Sequence, residues 1–112
     1  MFLLFRVKRG FSMALVSVAK ESEIQQGQGK VVNAGGKTIA LFRTENGFFA
    51  IENACKHRGG PLGEGELDGC TVTCPLHGWQ YDVKTGECQT TPGQQVQVYK
   101  VVVEGGEVKV EV

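Results

Sequence analysis

Cys55-Lys56-His57-Arg58-Gly59-Gly60-Pro61 and Cys74-Pro75-Leu76-His77-Gly78-Trp79 are the two stretches on which the reading of this chain turns. Each sets one cysteine two or three residues before one histidine. Sixteen residues separate His57 from Cys74, and no other histidine occurs in the 112 residues. Thiolate and imidazole are both metal ligands, and a pair of each in two short glycine-rich loops marks Cys55, His57, Cys74 and His77 as a candidate metal-binding set. Gly59-Gly60-Pro61 and Pro75 suit loops whose backbone must come close to a buried anionic centre, because glycine permits the approach and proline stiffens the path.

Two kinds of centre compete for such a set. Structural zinc commonly takes two cysteines and two histidines, but usually with both cysteines in one turn and both histidines along a helix. Here each loop carries one of each, and no helical pattern follows. A mixed pair per loop suits a cluster with unlike ends, one iron held by two thiolates and the other by two imidazoles. A zinc domain used for protein interaction is the alternative.

Working outward, residues 53–92 hold all four cysteines, both histidines, all three prolines and the only tryptophan. The flanks are plainer. Short runs rich in Val, Ile, Phe and Thr are cut by glycine or asparagine every eight to twelve residues or so, the pattern of an antiparallel sandwich or barrel. Strands are expected at 15–19, 30–33, 38–43, 48–52, 71–74, 80–82, 95–103 and 107–112. Gly35-Gly36, Asn46-Gly47 and Gly105-Gly106 supply turns between them, and Lys84-Thr85-Gly86 another. Residues 21–24 give the only helical hint. The expected fold is all-β: an antiparallel sandwich or barrel base, residues 13–112 forming one domain, with a metal-binding subdomain at 53–92 inserted in it.

Composition excludes several function classes. Twelve basic and twelve acidic residues balance, and from Met13 onward nine cations face twelve carboxylates, which gives no electrostatic case for nucleic acid. No run approaches the roughly 20 apolar residues of a membrane span. The apolar Met1–Phe5 precedes its positive charges, the reverse of a secretory signal, so a cytoplasmic location is expected. Residues 1–12 read either as an upstream extension or as an edge strand. At this length a domain buries only about two-thirds of its unfolded surface, so a centre tying two loops together would matter to stability. Cys70 and Cys88 read as small half-buried apolar side chains, with a disulfide between them as the other reading.

Cys55-x-His57 and Cys74-Pro75-Leu76-His77-Gly78-Trp79 resemble the two loops of Rieske-type [2Fe-2S] proteins, and the resemblance runs through Tyr81-Asp82 and Thr85-Gly86, covering about residues 14–112. It implies one [2Fe-2S] cluster per chain, with Cys55 and Cys74 on one iron and His57 and His77 on the other. Two ferric ions, two sulfides and two thiolates sum to zero, against minus two for a four-thiolate cluster, so reduction is easier. Potentials run from about −400 mV for plant-type clusters to roughly −150 mV at the foot of the Rieske range, about four decades at 59 mV each. High-potential members carry an additional bridged cysteine in each loop and a serine hydroxyl aimed at the cluster. The equivalent positions here are Gly60, Leu76 and Trp79, so Cys70 and Cys88 cannot form that bridge. Tyr81 retains a phenol able to hydrogen-bond a cysteine sulfur. A low potential is expected.

The resemblance implies a ferredoxin, passing single electrons from a flavin- or NAD(P)H-dependent reductase to a terminal oxygenase. The other reading is the small subunit of a larger oxidoreductase such as assimilatory nitrite reductase. Catalysis by this chain alone is not expected, because a mononuclear iron typically needs two further histidines and a carboxylate, and both histidines are already used. Trp79 and Leu76 read as apolar cover for the cluster, with partner docking as the other reading. Lys56, Arg58 and Leu62 read as a rim beside the histidines, either a docking rim or ordinary solvated surface.

Overall fold

The computed structural model describes residues 14–112, and the extension expected at residues 1–12 lies outside them. Ten strands follow in order: β1 (Leu15–Lys20), β2 (Gln28–Ala34), β3 (Lys37–Thr44), β4 (Gly47–Glu52), β5 (Glu66–Asp68), β6 (Thr71–Thr73), β7 (Gln80–Asp82), β8 (Val98–Tyr99), β9 (Val101–Glu104) and β10 (Glu107–Glu111). Single 3-10 turns occupy Glu21–Glu23 and Leu62–Glu64. Three antiparallel sheets result, ordered β1-β10-β9, β2-β3-β4-β8 and β5-β6-β7. The described residues form an all-β fold, as the strand pattern requires.

Local chemistry sets the hairpins. Gly35 and Gly36 both take positive φ (57° and 77°) between the paired Ala34 and Lys37, the backbone that a two-residue turn needs if it is to match strand twist. Gly105 and Gly106 repeat this between Glu104 and Glu107. These turns fix register, and register decides which side chains face inward.

β3 explains how the base carries the site. Ile39, Ala40, Leu41 and Phe42 are all 0 % exposed, so this strand is covered on both faces, which is why it reads as a continuous apolar run rather than an alternating one. Ile39 and Leu41 join Val32, Ala50, Val108 and Val110 in one core, against the β1-β10-β9 sheet. Ala40 and Phe42 join Ile51, Leu62, Val72, Tyr81, Val83 and Val96 in a second core, which also holds Cys55 and Cys74. β3 is therefore a shared wall, with the scaffold on one side and the candidate ligands on the other.

Three expectations are corrected. Residues 95–103 do not form one strand: β8 pairs with β4 and β9 with β10, and the chain changes sheets at Lys100. Sheet-switching at a corner is how two packed sheets close. β5 was not expected, since Glu66-Leu67-Asp68 carries one apolar residue; its pairing with β6 (Glu66↔Thr73, Asp68↔Thr71) makes it a strand. Leu62, expected at an exposed rim, is 0 % exposed and lies in the second core.

Candidate metal centre

The first loop leaves β4 at Glu52 and is closed by Asn53. The Asn53 carbonyl accepts the Leu62 N–H (2.8 Å), and its side-chain Oδ1 accepts the Gly63 N–H (2.8 Å). Asn53 was not singled out from the sequence; its signal was an amide-bearing residue at a strand end facing a Gly-Pro turn. The second loop is the hairpin connection between β6 and β7, whose last pair is Thr73↔Gln80.

Both loops share one backbone frame. The Cys55 N–H donates to the Gly60 carbonyl (2.9 Å) and the Cys74 N–H to the Trp79 carbonyl (2.7 Å), five residues on in each case. The carbonyls of Cys55 and Cys74 accept the N–H groups of Gly59 (2.7 Å) and Gly78 (3.1 Å), four residues on in each case. Gly59 and Gly78 take the left-handed conformation that this frame imposes (φ 72° and 78°), a region costly for residues with a β-carbon. The two cysteines therefore occupy equivalent places.

The frame sorts the four side chains by depth. Cys55 and Cys74 are each 3 % exposed, whereas His57 and His77 lie on the surface. The imidazoles meet edge to face, with ring centroids 4.6 Å apart at 85°. Trp79 reaches from the second loop to stack on His57 of the first, at 4.8 Å and 15°, and also packs against the inner core. Partial loss of hydration, then the nearby His77 and Arg58, push His57 below its ordinary pKa, favouring the neutral imidazole that binds metal. Among the described residues no three His, Cys, Asp or Glu side chains converge on a single ion position; the set has a sulfur end and an imidazole end.

Two further features shape the sulfur end. Tyr81, 0 % exposed, places its hydroxyl 3.4 Å from Cys55 Sγ while accepting the Lys56 N–H at 3.0 Å. With that lone pair engaged, the phenolic proton is free to point at the sulfur. Burial and then the Cys55 contact push the Tyr81 pKa well up, so it remains a donor. Gly60 lets the second loop pack against the first: a β-carbon there would stand 2.7 Å from Cys74 Sγ and 3.0 Å from Leu76 Cγ. Cys70 and Cys88 are free thiols packed with this core, not a disulfide.

A family model for the Rieske [2Fe-2S] domain matches residues 14–100. The chain belongs to the Rieske domain family. This Rieske domain is 34 % identical over 90 residues to the ferredoxin component of the naphthalene 1,2-dioxygenase system of Pseudomonas aeruginosa, covering 80 % of this chain and 86 % of that one. Among solved structures, it matches a chain from the complex of reduced oxygenase and oxidised ferredoxin in carbazole 1,9a-dioxygenase with a TM-score of 0.79 and 35 % identity, covering 86 % and 91 % of the two chains. A small subunit assigned to an NADH-dependent nitrite reductase from Mycobacterium tuberculosis shares the fold (TM-score 0.79, 22 % identity, 90 % and 95 % covered). At that identity the likeness is one of fold alone. No helix among the described residues is long and apolar enough to cross a membrane.

Proposed function

We propose that Cys55 and Cys74 hold one iron, and His57 and His77 the other, of one [2Fe-2S] cluster per chain, and that the protein is a cytoplasmic one-electron carrier. Its partners on this reading are a flavin- or NAD(P)H-dependent reductase and a terminal oxygenase, as the ferredoxin relatives suggest. The observation that carries the assignment is the repeated loop frame, which sets two equivalent sulfurs inside and two imidazoles outside. The missing side chain at Gly60 lets Cys74 Sγ lie against the first loop, since any β-carbon there would stand 2.7 Å from it, and the donor set of two buried thiols and two exposed imidazoles fits a cluster with unlike ends. Residues 53–92, which contain both loops and β5–β7, are then the cluster-binding subdomain.

When bound, the cluster supplies a one-electron couple. The chain's own residues do the rest. The shared wall of β3 and the side chains of Leu62, Val72 and Tyr81 keep water from the sulfur end, where low dielectric strengthens every hydrogen bond. His57 and His77 are exposed while Cys55 and Cys74 are buried, so the imidazoles are the side chains of the set that a partner would reach. No third or fourth histidine exists for a catalytic iron, which agrees with a carrier rather than a catalyst.

The test is a redox titration of the purified brown holoprotein. The expected midpoint lies below about +100 mV, toward the foot of the Rieske range. It should fall as pH rises through the alkaline range, since the iron withdraws charge from the imidazole N–H groups most in the oxidised state. A colourless, zinc-loaded preparation overturns the assignment, and a pH-independent midpoint removes the histidines from it.

Tyr81→Phe tests the sulfur end. The phenolic hydrogen bond stabilises the more negative, reduced state, so its loss lowers the midpoint. A net worth of about 0.5–1.5 kcal/mol per hydrogen bond, at 59 mV per tenfold, gives about 20–65 mV. An unchanged midpoint would show that the hydroxyl does not reach the sulfur.

A further inference from the structure

The charge and apolar surface around the imidazole edge specify a partner. Residues 54–61 and 74–80 carry two cations, Lys56 and Arg58, and no carboxylate, whereas the rest of the sequence carries ten cations and twelve carboxylates. A basic tip thus stands on an acidic body. Lys56 is partly neutralised, its Nζ 3.5 Å from Glu52 Oε1, while Arg58 is exposed and is in none of the ion pairs formed among the described residues. Arg58 therefore dominates the tip's field, immediately beside His57.

Leu76, immediately before His77, is 57 % exposed, more than Leu15, Val98 or Val103, the other large apolar side chains left exposed among the described residues. One side of it is packed: Cγ and the terminal methyl Cδ1 lie 3.0 and 3.2 Å from where a Gly60 β-carbon would be. A leucine packed on one side and otherwise exposed loses little further rotamer freedom on docking and gains the burial of its exposed face.

We propose, resting on the carrier reading above, that Arg58 and Leu76 form the docking face for a redox partner whose own electron-transfer surface is an apolar depression rimmed by carboxylates. Leu76 fills the depression, Arg58 meets the rim, and the imidazole edges are brought to the partner's redox centre. The opposing tendency is the body's net negative charge, which would steer acidic partners away. Close approach at the tip decides between them, because beyond about 8–10 Å physiological salt screens the body.

The sign of the salt dependence separates the two. Reduced holoprotein is mixed in a stopped-flow instrument with cytochrome b5, whose exposed haem edge is ringed by carboxylates, and with cytochrome c, ringed by lysines. The midpoint of each variant is measured so that driving force is separated from docking. For the wild type the rate with the acidic cytochrome is expected to fall with salt, and that with the basic one to rise. Arg58→Glu reverses the slope with the acidic cytochrome. Leu76→Ser slows that reaction about tenfold at all salt concentrations, with the absorption spectrum unchanged. Opposite wild-type slopes, or variant rates equal to wild type, overturn the docking face. Absence of cluster absorption in the wild type would instead sink the carrier reading beneath it.

Discussion

His57→Cys and His77→Cys are each expected to lower the midpoint by roughly 100–150 mV. The two imidazoles together account for about 250 mV between the foot of the Rieske range and a four-thiolate cluster, and each replacement returns one of the two missing negative charges. Half of that interval is about two decades in the reduction equilibrium at 59 mV per decade. The sign is fixed by electrostatics: a thiolate beside the iron makes the incoming electron meet more negative charge. Position then separates the two variants. His77→Cys keeps the stack of Trp79 on His57 at 4.8 Å, while His57→Cys removes it and with it the ring-to-ring tie between the loops. Both should show a similar shift, but the His57 variant should lose its cluster faster on dilution, followed by visible absorption. An unchanged or raised midpoint in both would mean that the imidazoles are not ligands.

That experiment tests a set already legible in the sequence. Four residues at C-x-H and C-x-x-H spacing stand out because thiols and imidazoles are scarce in this chain, and scarcity survives without knowledge of the fold. The paired glycines at 35–36 and 105–106 were equally readable, since few other residues accept two successive positive φ angles. What was not readable depended on contacts distant in sequence. Gln95 to Val103 is β-prone throughout, but whether it serves one sheet or two depends on β4 and β10, and the break at Lys100 leaves no local mark. Leu62 sits next to the ligand loop in sequence, yet the Asn53 clamp turns it inward to 0 % exposure. β5 is polar because its stability comes from pairing with β6 rather than from its own side chains. The equivalence of the two loops was invisible for the same reason: His57 follows its cysteine by two residues and His77 by three, and only the hydrogen bonds of Cys55 and Cys74 reveal a common frame.

The largest effect on stability is expected away from the ligands, at Gly86. The Gly86 N–H donates to the Asp82 carbonyl (2.8 Å) and its own carbonyl accepts the Val96 N–H (2.9 Å), so the turn after β7 is tied to the segment that becomes β8. Gly86 has φ 80°, and a β-carbon there would stand 2.4 Å from the Val96 carbonyl oxygen and 2.9 Å from Val98 Cγ2. Alanine therefore meets two separate costs. The left-handed backbone costs about 1–2 kcal/mol, and relief of the collision requires moving backbone rather than a flexible side chain, placing the total at about 3–5 kcal/mol with the larger single-site effects. At about 4–8 °C per kcal/mol for a domain of this size, Gly86→Ala should melt some 12–40 °C below wild type. Gly93→Ala is the control, since Gly93 has φ 95° but nothing within 4 Å of an added β-carbon; it should meet the backbone cost alone. The damage should reach the metal centre, because the neighbouring strand carries Tyr81, bridged to Cys88 just past the turn. Loss of visible absorption in Gly86→Ala is then expected to coincide with unfolding measured by far-ultraviolet circular dichroism. Equal melting of the two variants would show that the Val96 segment yields freely, and that the seat of Tyr81 is not held from this side.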